Sequence, residues 1–494
     1  MDINRRKFGA CILGGLAGGA WALRPRPRLL VLVIVEQLRP DYFDAIWDQI
    51  GPGGLRRLVE NGAYFPDCRH LAASYTASAL ATLATGAWPA QHGIVADTWF
   101  DGAAHKPVRA SEQALLATTL IAQVAAAADT RVFAAALDPQ DGALFAGSPT
   151  ALQYWMDEKG QFVTRGEMPA WLADYNQLHP LAKLHNAEWL AVGANPGAPA
   201  LRTLRFEADR PQDFLTLFKA SPFGLAAEFE FLKELLAREH LGEGSTFDFV
   251  CLISSAAAWL GYETGARSPL MQQLTLHLDR QLELLLEQLD RAPGPGAYNL
   301  VLVGAHGAPP APRPEARPRL AVNGELLAQE IQQMLLTNGS GRLEKYLYPF
   351  VYLDTRGNTV PETVRRAAGG AALEFPAVAA YYTAGGECSV HNEWERRFRN
   401  SFHRGRAGDV MLSYLPEYIE EYGGGVSYGS LYSYDIQVPL CFYGPQFRAA
   451  IFEAPVESVD LAPTLARAIG VEAPSSNSGR VLGEAFAGSE TRGR

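Results

Sequence analysis

Cysteine is scarce in this chain of 494 residues: there are five, Cys11, Cys68, Cys251, Cys388 and Cys441, and no two form a CxxC pair. That excludes a disulfide-built scaffold and a cysteine zinc ribbon, so a metal would have to be held by His, Asp or Glu. Positive charge is also short. Lys and Arg number 43 against 53 Asp and Glu, a net charge of −10, which is the wrong sign for a general binder of phosphate backbones. Nucleic acid is not an expected partner. No apolar run reaches the roughly 20 residues that cross a bilayer, so no stable membrane span is expected. What is present is an ordinary globular composition, 48% hydrophobic and 19% charged, enough to build a packed core. The length allows about three domains of roughly 150 residues, or one large domain with insertions.

The first 22 residues read as an address. Arg5, Arg6, Lys7 and Phe8 precede a Gly-rich apolar stretch that ends near Ala20-Trp21-Ala22, and Arg24, Arg26 and Arg28 follow. A basic start, a short apolar centre and a small-residue site fit an export signal, and the RR-x-F pattern is similar to the twin-arginine type. The expected location is the periplasm or another exported compartment. A folded passenger of that route would carry Cys251 and Cys441 as buried thiols in strands, with the state of Cys68 and Cys388 left open.

From residue 23 onward, apolar β-rich runs at 28–36, 130–137, 247–253 and 299–304 alternate with helical patterns such as 114–127 and 269–289. Continuous apolar runs belong to strands buried on both faces. Their alternation with helices predicts an α/β fold, a doubly wound, mostly parallel sheet flanked by helices. Chemistry in such sheets gathers at the C-terminal ends of the strands, which draws attention to Glu36, to 254–262 and to 305–307. A Pro-rich stretch at 308–318 marks a break, and about 320–425 is expected to be an inserted lobe within one domain spanning 23–494.

The segments VEQLRPDYF, YTASALATLATG, HGIVADTWFD, VLVGAHGAPPAP and YGSLYSYDIQVPLCFYGP together resemble the alkaline phosphatase superfamily. The similarity is to its branch of periplasmic Thr-nucleophile phosphomonoesterases, close to the nucleotide pyrophosphatase/phosphodiesterases. The resemblance implies two zinc ions on six Asp and His ligands, with a Thr at a helix N-terminus attacking phosphorus. It puts the nucleophile at Thr76 and a phosphoryl-contacting residue at Asp97, where the family has Asn. Metal positions fall on Glu36 and His306, while Ala258, Tyr262, Ala305 and Tyr428 stand where the other ligands are implied. A less firmly aligned Lys-x-Arg position falls on Asp138 and Gln140.

Each of these residues also has a plainer reading. Thr76 suits the N-cap of the helix it precedes, and that reading is the one favoured from sequence. His306 fits a hydrogen-bonded structural residue. Glu36, if buried, needs a partner such as Arg39, Thr76 or His306, and Asp97 fits a solvated loop acid. A Ser/His/Asp-type hydrolase rebuilt from Thr76, His306 and Asp97 is also compatible with the sheet edge. The expectation drawn is a pseudoenzyme: fold retained, two-zinc chemistry lost, no cofactor beyond at most one weakly held metal. Such a protein would bind an unknown ligand or partner protein at the inserted lobe or at a cleft carrying Tyr75, Trp259, Tyr262 and Tyr428. The alternative is a phosphomonoesterase or phosphodiesterase with a reduced single-metal site and Thr76 as nucleophile.

Overall fold

Every residue of the strand Leu29–Val35 is buried. A strand with no wet face needs neighbours on both edges and cover on both sides, and this one has them. Phe247–Ser254 lies along one edge and Tyr298–Gly304 along the other, both parallel to it. In this computed structural model, residues 27–488 are described except 128, 147–150, 208, 311–319, 340, 355–358, 417 and 421–427. The expected export segment 1–22, with Cys11, lies outside the described residues.

The sheet runs from Ala450–Ile451 through Ala63–Arg69, Gln437–Tyr443, Tyr298–Gly304, Leu29–Val35, Phe247–Ser254, Thr130–Ala136 and Leu152–Met156 to Phe162–Thr164. Its centre is parallel, whereas Gln437–Tyr443 pairs antiparallel with both neighbours. Alternation along a strand sends successive side chains to opposite faces. Leu29, Val31 and Val33 join one core with Leu232, Leu235 and Leu282. Leu30, Leu32 and Ile34 join a second with Leu80, Leu83 and Leu465. The α/β fold with helices on both faces is therefore as expected.

Within the span expected as a lobe, Leu343–Leu347, Phe350–Leu353, Val410–Tyr414 and Val378–Thr383 form a separate four-stranded antiparallel sheet. Helices Gly324–Thr337 and Glu362–Leu373 share a core with it, through residues such as Leu327, Ile331, Ala368 and Ala372.

The helix expected over 114–127 instead occupies Leu120–Ala126, because Thr119 caps it by accepting from the Ala122 N–H. The helix expected over 269–289 extends through Pro269–Arg291, started by the Ser268 hydroxyl. Cys68, Cys251, Cys388 and Cys441 are free and buried, with Cys251 and Cys441 in strands. Among the described residues, no helix is long and apolar enough to cross a membrane.

Candidate functional site

Register sets the site. Val35 lies opposite both Ser254 and Gly304, and the pairing continues one residue further as Glu36 N donates to Ser254 O and Ala305 N donates to Val35 O. Glu36 and His306 thus leave adjacent strands at the same C-terminal edge. The helix Thr76–Thr85 begins above them.

Thr76 is not a cap. Tyr75 holds the N-cap position, and the helix has no side-chain cap. The Thr76 hydroxyl turns toward the sheet instead, where Oγ1 lies 3.0 Å from Glu36 Oε2, 3.0 Å from His306 Nε2 and 3.2 Å from the Tyr428 hydroxyl. The preference for a cap is corrected by this geometry: a hydroxyl with a carboxylate and an imidazole in reach finds better partners than the helix's own N–H groups.

His306 is fully buried. Its Nδ1 lies 2.7 Å from the Gly307 carbonyl, which can only accept, so Nδ1 carries the proton and Nε2 offers its lone pair to Thr76. Burial pushes the imidazole down to about 4, leaving it neutral at pH 7. Glu36 is held well above the usual carboxylate range by burial and then by the nearby Asp141 charge. Among the described residues, its buried Oε1 has no hydrogen-bond partner. Arg39, one of the partners considered for Glu36, forks onto Asp41 instead.

Asp97 is not a solvated loop acid. Its Oδ1 accepts from the Ala77 N–H at 2.8 Å, and its Oδ2 accepts from the Tyr428 hydroxyl at 3.0 Å. One carboxylate oxygen therefore takes an N–H at the start of the Thr76 helix, where an anion is favoured. Burial raises its pKa, and the bonds from Ala77 and Tyr428 oppose the shift. No Ser/His/Asp relay forms, since the outer nitrogen of His306 is held by a carbonyl. The Tyr428 ring stacks on His306 with centroids 4.5 Å apart and planes 9° apart.

The remaining positions divide. Ala305 is buried and Tyr262 is 39% exposed, and Ala258 lies on the helix Ala256–Thr264 that carries Tyr262. Asp138 is paired with Lys219 at 2.6 Å and receives the Trp259 indole N–H at 3.3 Å. It thus has a counter-ion of its own, which sequence reasoning did not supply. Of the aromatic residues expected to line a cleft, Tyr75 and Tyr428 approach to 6.2 Å, while the ammonium of Lys219 covers the face of Trp259. Glu228 was also missed. It is buried and accepts from Ser254 Oγ and Ser255 N at the end of the central strand. Its one signal in the sequence is an acid on the apolar stripe of FGLAAEFEFLKELLAR. Among the described residues, no group of three or more His, Cys, Asp or Glu is arranged to hold a metal.

The model of the type I phosphodiesterase / nucleotide pyrophosphatase family matches residues 30–423. The chain belongs to this family. As a type I phosphodiesterase-family member of the alkaline phosphatase superfamily, it is 23% identical to alkaline phosphatase PafA of Elizabethkingia meningoseptica, over 97% of this chain and 98% of that one. It is also 23% identical to alkaline phosphatase PhoV of Synechococcus elongatus, over 92% of each. The crystal structure of wild-type PafA shares the fold with a TM-score of 0.83 at 22% identity, covering 94% of this chain and 99% of PafA. These matches overturn the expectation of a non-catalytic binding protein, because relatives aligned from end to end are named as phosphatases. Motif positions alone could not report the physical reason, which is that the fold brings Glu36 and His306 each to hydrogen-bond distance of Thr76.

Proposed function

We propose that this protein is a phosphoester hydrolase, acting on phosphomonoesters or phosphodiesters with Thr76 as the nucleophile. The observation that carries the reading is the Thr76 hydroxyl at the start of a helix, with Glu36 Oε2 and His306 Nε2 each 3.0 Å away. A nucleophile with a base in hydrogen-bond reach is the arrangement covalent catalysis requires. The names of the full-length relatives support the same chemistry.

The residues present do not fit the pair of zinc ions that the resemblance implies. Of its six positions, Ala258 and Ala305 offer no donor atom, and Tyr262 and Tyr428 offer phenols in place of carboxylate or imidazole. The Tyr428 hydroxyl is moreover engaged by Asp97. Glu36 and His306 remain, and both face Thr76.

Turnover of para-nitrophenyl phosphate and bis(para-nitrophenyl) phosphate by the full chain tests the reading. The wild type is expected to hydrolyse at least one of them, and Thr76→Ala to abolish it. A folded wild type that turns over neither would overturn the reading.

A further inference from the structure

Resting on the phosphoester reading above, we propose that Asp435 is the positioning residue of this site, tying together the separate segments that carry Thr76, His306 and Tyr428 and seating the Tyr428 ring on His306. Asp435 is buried, on the short helix Ser433–Ile436. Its main-chain carbonyl accepts twice, from the Gly307 N–H at 2.7 Å and from the Ser74 hydroxyl at 3.1 Å. Gly307 follows His306, and Ser74 stands two residues before Thr76. The carboxyl group reaches the third segment: Oδ2 accepts at 2.8 Å from the N–H of Ser430, two residues after Tyr428. The approach at 307 is close, since a Cβ there would stand 2.0 Å from the Tyr434 carbonyl oxygen and 3.2 Å from Asp435 Cα. Only glycine leaves room for it.

The two main-chain bonds survive any substitution at 435, which isolates the task of the side chain: it holds the turn after Tyr428. That turn passes through Gly429 at a φ of +92°, and glycine is the residue with the widest choice of other conformations. A bond from outside has to select one. With Ser430 N held on Asp435 Oδ2, the Tyr428 ring lies flat on His306, 4.5 Å away at 9°, and its hydroxyl stands 3.2 Å from Thr76 Oγ1. Without that bond the turn is free to shift, and the ring and the hydroxyl shift with it. Asp435 therefore acts on Thr76 and His306 through Tyr428.

Nuclear magnetic resonance of the full-length protein, isotope-labelled in its histidine rings, tests the assignment without reference to turnover. The His306 Cε1–H resonance, identified by its loss in His306→Gln, should lie upfield under the Tyr428 ring and move downfield in Asp435→Ala. Asp435→Asn, which keeps an oxygen for Ser430 N, should leave it in place. On whichever of the two nitrophenyl substrates the wild type turns over, Asp435→Ala should lower kcat by up to about 10²-fold, the scale of an ångström's misplacement. Asp435→Asn should recover most of that loss. Combined with Tyr428→Leu, Asp435→Ala should cost nothing further, because residues that act as one unit do not add. Circular dichroism checks folding, and Asp435→Ser, polar but too short to reach Ser430 N, replaces the alanine variant if that one does not fold. A folded variant with an unmoved resonance would overturn the proposal, as would losses that multiply with Tyr428→Leu. Both leave the phosphoester reading standing. A wild type that turns over neither substrate removes that reading and the kinetic role with it, while the resonance still decides whether Asp435 seats Tyr428.

Discussion

Tyr428 lies flat on His306, and its hydroxyl joins Asp97 to Thr76: the rings are 4.5 Å apart at 9°, with contacts of 3.0 Å to Asp97 Oδ2 and 3.2 Å to Thr76 Oγ1. One side chain thus braces the imidazole with its face and, with its tip, ties the loop residue Asp97 to Thr76 at the helix start.

Removing only the tip separates these tasks. Tyr428→Phe keeps the stack and strips Asp97 of one donor, leaving its other oxygen on Ala77 N. Stability is expected to fall by about 1–3 kcal/mol, the cost of a buried acceptor losing a partner, as read by urea denaturation. An unchanged midpoint would mean that water replaces the phenol.

Asp97 places negative charge at the helix end where a phosphoryl group would sit. A unit charge at about 4 Å is worth of order 4 kcal/mol at an effective dielectric near 20. Asp97→Asn can keep the bond from Ala77 N while removing that charge. Inhibition by inorganic phosphate should tighten at least about tenfold on this scale. An unaltered inhibition constant would show that Asp97 does not face the phosphoryl seat.

Glu228 makes stability depend on pH. Burial raises its carboxyl from the ordinary 4.5 to about 8, against the opposing bonds from Ser254 and Ser255. The folded state therefore holds a proton that the unfolded chain has released, and its contribution is whole below about pH 4.5 and is lost as pH rises through about 8. Glu228→Gln should flatten the fall in denaturation free energy across that window. A slope unchanged by the substitution would place the responsible proton elsewhere.

Gly429 is bound to its turn. Its φ is +92°, and a Cβ there would stand 2.5 Å from the Tyr75 ring. Gly429→Ala should cost about 1–3 kcal/mol in backbone strain alone and displace Tyr428 next to it, so melting temperature and turnover should fall together. A variant with the wild-type melting curve would contradict the turn.

Much of the architecture was legible because it depends on local pattern. The apolar run at 28–36 has no polar face to offer water, so it had to be a central strand, and it is Leu29–Val35. The helix over 114–127 was drawn too long because alanine-rich sequence extends a helical pattern past its start, and the Thr119 hydroxyl decides that start. The site was legible as positions, not as contacts. Thr76, Glu36, Asp97, His306 and Tyr428 could be named from motifs, but the ion pair of Asp138 with Lys219 joins residues 81 apart in sequence, which no local pattern reports.

By itself, then, the sequence determined the α/β alternation and the strand ends from which Glu36 and His306 emerge. Those follow from residue type and spacing. Only the tertiary structure decided what the Thr76 hydroxyl does. A helix start favours a capping Thr on local grounds, and the choice is reversed by Glu36, 40 residues away, and His306, 230 residues away, which parallel register brings to Oγ1 at 3.0 Å.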